Sequence, residues 1–565
     1  MRRRPDLFVT QKSLALYVPD GRFTAPANPY GRHVANAGTY RALARSGRWQ
    51  HLYVLSNEPV GGSELAREMG PDADGVAIST GPLMSTAGAT ASGTLLSGQA
   101  YLSQPAWIRR NARRDCDYSI VGTLFAFSSP SHRELMMHSL LAPMQEWDAI
   151  ICSSPSLQRT VLDTIDAWES YLRQRLGASA RLPRPQLPII GFGSDVGRIE
   201  NQAADDAARF RLRARLNIEP DEVMVFSLGR LSYVDKAFPQ AMLKAVQAAR
   251  QSCDVGMHLV MAGWFALGEE DRARYEEAVR RYCPNVPVTF IDGSDQSAIS
   301  ECWAAADAFM LLSDTIIETF GQALVEAMSA GLPLVVSDWD GYRSIVREGV
   351  DGFLIPTLGA SPGVMGEALA MLEYVGAAGY ANYSGSVSAH TAVDVGAAGR
   401  ALAHLVVSPA LRRSMGEAGR SRAREQFDWP VVVEQYAQLF HELGARRATT
   451  TASVPDASLN PLRDDPFRTF GNLPTTVLSD QVRLMRGPID APDQGVWLDT
   501  AYPGPRGTDD EAQAVLGHLD AFHEATVHDV LDLFPSGRRA FVRMTIAWLA
   551  KAGAIAWTPA NRHPR

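Results

Sequence analysis

A chain of 565 residues, 46% hydrophobic and 21% charged, is too long for one core and has the composition of a soluble globular protein. Its formal net charge of -8 argues against broad nucleic-acid binding. Met1-Arg-Arg-Arg-Pro-Asp6 leads into no apolar h-region, and no run of about 18 apolar residues occurs, so neither a signal peptide nor a membrane span is expected. Five cysteines with no C-x-x-C pair read as free thiols of a reducing compartment. The expected location is cytoplasmic, with peripheral contact at the inner face of a membrane as the further option.

In chain order, the first predicted strand is Ser13–Val18, closed by the turn signal Pro19-Asp-Gly21. Apolar runs follow at His51–Leu55, Tyr118–Val121, Asp148–Cys152 and Leu187–Ile190, with helical periodicity at Val34–Arg45 and Ser156–Arg175. Met84–Gln104, rich in Ser, Thr, Gly and Ala, reads as a long loop. Strands are next predicted at Val223–Leu228, His258–Ala262, Val288–Ile291, Ala308–Leu312, Leu334–Ser337 and Phe353–Ile355. The helices between them fall at Phe238–Arg250, Glu270–Tyr282, Gln296–Ala306, Gln322–Ala330 and Tyr342–Glu348. The fold class is therefore α/β, with two Rossmann-like doubly wound domains facing across a cleft, where ligands usually bind.

The domains expected are 1–192, an N-terminal Rossmann-like domain, and 193–428, a C-terminal Rossmann-like domain with a Gly- and Ala-rich insertion at about 358–391. A helix at 429–445 crosses back to the first domain, and 446–471 is a polar linker. Residues 472–565 read as a small, mainly helical module of unknown role: three helices at Asp509–Phe522, Thr526–Phe534 and Gly537–Lys551, then a strand at Ala554–Trp557, a winged-helix-like order. From Asp456 onward 14 acidic residues face 11 basic ones, so a protein partner or a structural role is expected there rather than nucleic acid.

The strongest segment runs from Leu311-Leu-Ser-Asp314 through the loop Thr315–Phe320 to a helix that begins near Gly321. Backbone N–H groups of Phe320, Gly321 and Gln322 are candidate orphan donors for a phosphate at that helix terminus. Glu326, five residues into the helix, lies roughly 7–8 Å from its start, a reach that suits a ribose attached to that phosphate. Its carboxylate can accept from both ribose hydroxyls. Glu318 precedes the helix and can face the sugar. The spacing alone would also suit a cap and a solvated glutamate.

Glu318–Pro356, with Glu318, Phe320, Gly321, Glu326, Ala327, Gly331, Pro333, Gly341, Gly349 and Gly352, resembles glycosyltransferase family 4, the retaining GT-B enzymes. The resemblance implies that Glu318 contacts sugar hydroxyls, that the backbone at Phe320–Gln322 contacts sugar and phosphate, and that Glu326 binds ribose. It extends to Gly229-Arg230 and Lys236, a pair that can cradle a diphosphate and offset leaving-group charge; here the Arg-to-Lys interval is six residues, where the family has five. It also extends to Gly31 and Arg32, in the loop that the family places over the donor phosphates, and to Phe427-Asp-Trp-Pro430, similar to its final crossing helix.

The family's histidine after a middle N-domain strand has no counterpart in Val121–Phe127; His132 and His138 follow in a predicted helix. Trp107–Arg114 is a basic stretch that reads as a solvated charged face, with lipid headgroups as the alternative. Asp338-Trp-Asp340 has the D-x-D form of metal sites in another glycosyltransferase fold and reads as coincidental.

The resemblance implies a retaining glycosyltransferase that moves a sugar from a nucleotide-sugar donor to an unidentified sugar, glycan or lipid-linked acceptor, in cell-surface polysaccharide or glycolipid synthesis. It implies no resident cofactor and no metal. The alternative is a non-catalytic GT-B scaffold or nucleotide-sugar sensor acting through its C-terminal module.

Overall fold

Short, fully buried apolar runs separated by amphipathic helices give parallel sheets covered on both faces, because every strand must bury two sides. A computed structural model describes residues 12–24, 31–266, 268–450, 460–489 and 504–558. Met1–Asp6, Asn28–Tyr30 and part of the expected linker lie outside the described residues. The chain divides into two compact units, Met1–Ser458 and Leu459–Arg565.

The first unit holds two six-stranded parallel sheets. One comprises β1 (Ser13–Tyr17), β2 (His51–Ser56), β3 (Ala77–Pro82), β4 (Thr94–Ser97), β5 (Ser119–Leu124) and β6 (Ala149–Cys152), in the order β3-β2-β1-β4-β5-β6. The other comprises β7 (Val223–Leu228), β8 (Met257–Gly263), β9 (Val288–Asp292), β10 (Ala308–Leu311), β11 (Leu334–Ser337) and β12 (Gly352–Ile355), in the order β12-β11-β10-β7-β8-β9. Both strand orders reverse beside the first strand of their half, at β1/β4 and β7/β10, and a topological switch point of this kind is where α/β sheets bind ligands.

The expected loop Met84–Gln104 is overturned. It contains a helix, Ala87–Ser92, and then β4, which pairs with both β1 and β5 in the middle of the sheet. Its small residues serve close packing: a Cβ on Gly88 would lie 2.8 Å from the Tyr53 side chain, and one on Gly98 would lie 2.3 Å from the Tyr40 hydroxyl. Leu187–Ile190 is also corrected. The segment makes only isolated bridges, Gln186 to Ala149 and Ile189 to Cys152, because Pro183, Pro185 and Pro188 remove ladder donors. The helix from Tyr342 is shorter than expected and ends at Ile345.

The helix Trp429–Thr449 starts from an Asp428 cap and buries Trp429, Val432, Tyr436 and Phe440 in the core of the first sheet, with Leu14, Leu52 and Val54. Segment 358–391 has more structure than its weak periodicity indicated. Strands β13 (Thr357–Gly359) and β14 (Thr391–Val393) pair antiparallel and carry two helices, Val364–Tyr374 and Tyr380–Ala389.

The second unit has helices Asp509–Phe522, Val527–Leu531 and Arg539–Lys551 over a three-stranded antiparallel sheet of β15 (Arg483–Arg486), β16 (Glu524–Thr526) and β17 (Ile555–Thr558), in the order β16-β15-β17. The three helices lie where they were expected and β17 overlaps the expected strand; β15 and β16, too short to show a period, are additional to the expectation. Arg538, Arg539 and Arg543, on or beside the last helix, pair with Glu511, Asp532 and Asp480 within the unit, so its cations are engaged locally. No described helix is long and apolar enough to cross a membrane.

Candidate active site

At the C-terminal end of β7 the chain turns through Gly229. Close packing of three strand ends sets this turn: a Cβ on Gly263 would lie 1.8 Å from the Gly229 carbonyl oxygen, and one on Gly293 would lie 2.8 Å from Gly263 Cα. Gly229, Arg230, Lys236 and Ser227 line a small, partly open cavity with Met261, Tyr275 and other apolar neighbours.

The loop after Gly229 absorbs the six-residue Arg-to-Lys interval in one tight turn. Lys236 N donates to Ser232 O at 3.1 Å, and Asp235 N donates to Ser232 Oγ at 3.2 Å. Arg230 Nη1 donates to Asp235 Oδ2 at 2.9 Å, so Asp235 orients the guanidinium. Lys236 Nζ forms a short ion pair with Glu318 Oε2, both side chains largely buried.

The polar residues that end β10 hold this turn from below. Ser313 Oγ donates to Lys236 O at 2.8 Å, Thr315 Oγ1 donates to Val234 O at 3.3 Å, and Asp314 accepts from Phe238 N at 3.4 Å. Burial pushes the Asp314 carboxyl up to about 7. Asp235 and Asp314 escaped the sequence reading; the polar run Ser313-Asp-Thr315 at the end of an apolar strand was the available signal.

Gly321 caps the helix Gln322–Ser329 with φ 109°, a left-handed conformation that disfavours any Cβ, and a Cβ there would meet the Tyr342 ring at 2.6 Å. No side chain caps this helix, so its first N–H groups have no side-chain acceptor. The Phe320 ring packs against Phe192 and Phe427, leaving its backbone as the part that can serve a ligand. Gln322 Nε2 donates to Gly193 O at 2.9 Å, tying the helix start to the segment that enters the C-terminal half. Glu326 is half-buried on that helix. Burial pushes its carboxyl up to about 7, against the opposing pull of Arg198, Lys236 and a hydrogen bond from Gln322.

Arg230, Lys236, Glu318 and Glu326, spread over nearly 100 residues of sequence, thus converge on the ends of β7 and β10. Gly31 and Arg32 lie in the other half, at the start of a helix. Gly31 opens the helix Gly31–Arg45, with open space where a Cβ would stand. Arg32 Nε lies 3.4 Å from His33 Nε2. His132 and His138 both fall in the helix Pro130–Leu141. They differ in setting: His138 is exposed, whereas His132 is half-buried against Tyr101 at 5.3 Å, and burial together with Arg32 lowers its imidazole below the ordinary value.

The basic stretch Trp107–Arg114 is not a free charged face. Arg109 is fully buried on Asp148, Arg110 pairs with Asp115, and Arg114 pairs with Asp117. The Asp338-Trp-Asp340 carboxylates serve separate partners. Asp338 accepts from Arg343 Nε, and Asp340 accepts from Ser154 Oγ, each at 2.5 Å. Burial pushes Asp340 up to about 6. No His/Cys/Asp/Glu cluster suited to a metal ion occurs among the described residues.

The two halves meet beside this site. Thr319 Oγ1 donates to Phe125 O at 2.5 Å, and Ser153 Oγ donates to Thr319 O at 3.4 Å. From the insertion, the Tyr380 hydroxyl shares a 2.6 Å hydrogen bond with Ser128 Oγ, and Arg133 Nη2 donates to the Tyr383 hydroxyl at 3.4 Å. A double-mutant cycle of Tyr380→Phe and Ser128→Ala is expected to give a coupling of about 0.5–1.5 kcal/mol in unfolding free energy, since both remove one hydrogen bond. Strict additivity of the two single effects would count against this contact between the halves.

Residues 208–362, which span β7 to β12, match the family model described as Glycosyl transferases group 1. The chain is 30% identical over 141 residues to a phosphatidyl-myo-inositol mannosyltransferase of Mycobacterium leprae (strain TN), a match covering 25% of this chain and 27% of the relative. It is 29% identical over 167 residues to the sulfoquinovosyl transferase SQD2 of Arabidopsis thaliana, covering 28% of this chain and 29% of the relative. The chain therefore spans under a third of the length of these two relatives. In fold, it matches a solved glycosyltransferase of Rickettsia africae ESF-5 with a TM-score of 0.50 and 9% identity, over 77% of this chain and 98% of the other. That likeness shows the two-domain GT-B architecture.

Proposed function

We propose that this protein is a retaining glycosyltransferase that transfers a sugar from a nucleotide-sugar donor to an acceptor held by its N-terminal half. The convergence of Arg230, Lys236, Glu318 and Glu326 on one strand-end site carries the reading. The uncapped helix start at Gln322 supplies N–H donors for a phosphate. Arg230 and Lys236 offset the charge that grows on the leaving diphosphate, where oriented cations act most strongly. Glu318, paired with Lys236, faces the sugar, and Glu326 takes the ribose. Retention then proceeds by front-face transfer, with the leaving phosphate accepting the acceptor proton. No metal enters this reading, because the two cations and the helix terminus supply the positive charge. Gly31 and Arg32 close over the donor phosphates from the opposite half, and His132, beside Arg32, is the histidine best placed to meet the acceptor. The proposed setting is cytoplasmic.

A thermal-shift screen of nucleoside diphosphates and nucleotide sugars tests donor binding, because a ligand of the native state raises apparent stability. Slow donor hydrolysis or transfer by the purified chain separates an enzyme from a nucleotide-sugar sensor; tight donor binding with neither activity would favour the sensor.

Glu326→Ala is expected to weaken donor binding by about 1–3 kcal/mol, through loss of the hydrogen bonds to ribose. Binding should also depend on pH. The carboxyl sits near 7 in the free protein, and two ribose hydroxyl donors favour its ionised form. Below about 7, binding then releases a proton, so affinity rises with pH and levels off above it. Calorimetry across this range should show the slope in the native chain and lose it in Glu326→Gln. A slope unchanged by that substitution would remove Glu326 from the donor contact.

A further inference from the structure

We propose that Arg133, Tyr383, Tyr380 and Ser128 form a subsite for an oxyanion, a phosphate or carboxylate group carried by the acceptor substrate; the inference rests on the transfer reading and names the class of its second substrate. The two tyrosines lie on the insertion helix Tyr380–Ala389, Arg133 lies on the helix Pro130–Leu141 of the N-terminal half, and Ser128 just precedes that helix. The insertion helix packs on the loop that carries Arg230 and Lys236: a Cβ on Gly385 would stand 3.5 Å from Val234. The Tyr380 and Tyr383 rings stack with centroids 6.5 Å apart, so their bonds to Ser128 and to Arg133 are neighbouring contacts. The four side chains thus stand between the Arg230 loop and the N-terminal half, on the side from which an acceptor held by that half approaches.

Arg133 selects the occupant. Arg109, Arg110 and Arg114 of the same half each face a carboxylate. Arg133 is half-buried, makes no ion pair among the described residues, and donates at 3.4 Å to the neutral Tyr383 hydroxyl. Its Nε is buried and has no hydrogen-bond partner among the described residues. A guanidinium stays charged, and withdrawing its N–H groups from water without an acceptor atom is destabilising. An oxyanion meets both needs, because it brings negative charge and oxygens that match the planar fork. The neighbouring groups can donate as well. Tyr383 accepts from Arg133 and keeps its own O–H, and in the Tyr380–Ser128 pair one hydroxyl donates while the other keeps its hydrogen for a ligand. Asp235, whose charge reaches Tyr380, is engaged by Arg230 at 2.9 Å and does not oppose an anion as a lone carboxylate would. A neutral sugar hydroxyl would satisfy these hydrogens and leave the charge unbalanced.

Calorimetry of the full-length chain with glycerol 3-phosphate, glucuronate and glycerol tests the assignment and separates a phosphate from a carboxylate. The native chain is expected to bind at least one of the two anions and to give no heat with glycerol. Arg133→Gln should weaken anion binding by about tenfold or more, through loss of charge-assisted hydrogen bonds. Lys236→Ala, at the donor phosphates, should change it by no more than about twofold, as distant sites act independently. Tyr383→Phe removes one hydroxyl and leaves the ring; it should weaken binding by a smaller factor and carries the test if Arg133→Gln does not fold. A native chain that binds neither anion, or anion binding unchanged in both Arg133→Gln and Tyr383→Phe, would overturn the subsite. Anion binding lost in Lys236→Ala and kept in Arg133→Gln would likewise overturn it and give the anion to the donor phosphates. Nucleotide binding is measured separately: its absence beside Arg133-dependent anion binding would defeat the transfer reading and leave the oxyanion site, whereas nucleotide binding without Arg133-dependent anion binding would defeat the subsite alone.

Discussion

Asp148→Ala is expected to cost the N-terminal half about 3–5 kcal/mol, the largest stability effect of any single substitution considered. Asp148 and Arg109 are both fully buried, joined by two 2.7 Å hydrogen bonds. Asp148 also accepts from the backbone N–H of Ile120 at 2.8 Å and of Gln145 at 2.7 Å, thereby linking β5 to the turn before β6. The alanine variant strands a buried guanidinium and two buried N–H donors at once. Arg109 keeps only neutral acceptors, Tyr118 O and Pro143 O, which satisfy its hydrogens without balancing its charge. Asp148→Asn retains shape and one acceptor and should fall between alanine and the native chain. Chemical denaturation followed by a probe in this half would check the order. A loss below about 1 kcal/mol for the alanine variant would show that water or rearrangement compensates the charge.

Lys236→Ala is expected to lower transfer by about 10²–10³-fold, the largest effect on activity. Two consequences act together. The leaving phosphate loses a cation, and Glu318 keeps a largely buried carboxylate without the ammonium that neutralised it. That carboxylate then opposes an anionic donor. Arg230→Ala should lower turnover more than donor affinity, since charge on the leaving group grows in the transition state. Its Asp235 partner sharpens the test: Asp235→Asn keeps the hydrogen bond to Arg230 in part and should retain more activity than Arg230→Ala. Measuring donor affinity by calorimetry beside turnover separates the two contributions. Equal losses in both for Arg230→Ala would make it a binding residue only.

The C-terminal half of the first unit was legible almost strand by strand because its strands are continuous apolar runs closed by glycine or polar residues. Val223–Leu228 and Leu334–Ser337 fall where the runs predict them. The N-terminal half was harder to read. Thr94–Ser97, at the centre of its sheet, is four residues long and lies between Gly88 and Gly98, whose packing role depends on Tyr53 and Tyr40, far from them in the chain. Similarly, Arg109 looked like part of a solvated basic run. Only its placement beside Asp148 in the fold shows it to be buried.

The sequence by itself determined the candidate site's vocabulary: Glu318, Gly321 and Glu326 at fixed spacing on one loop and helix, with Gly229-Arg230 after a strand. Such features are local, and local geometry follows from spacing. Tertiary structure alone decided that Lys236 reaches Glu318 across 82 positions, that Asp235 orients Arg230, and that Tyr380 of an unpromising insertion touches Ser128 of the other half. It also decided that Arg109 is spent within the core. These relations depend on which strand ends the folded sheets bring together, and no single stretch of chain contains that information.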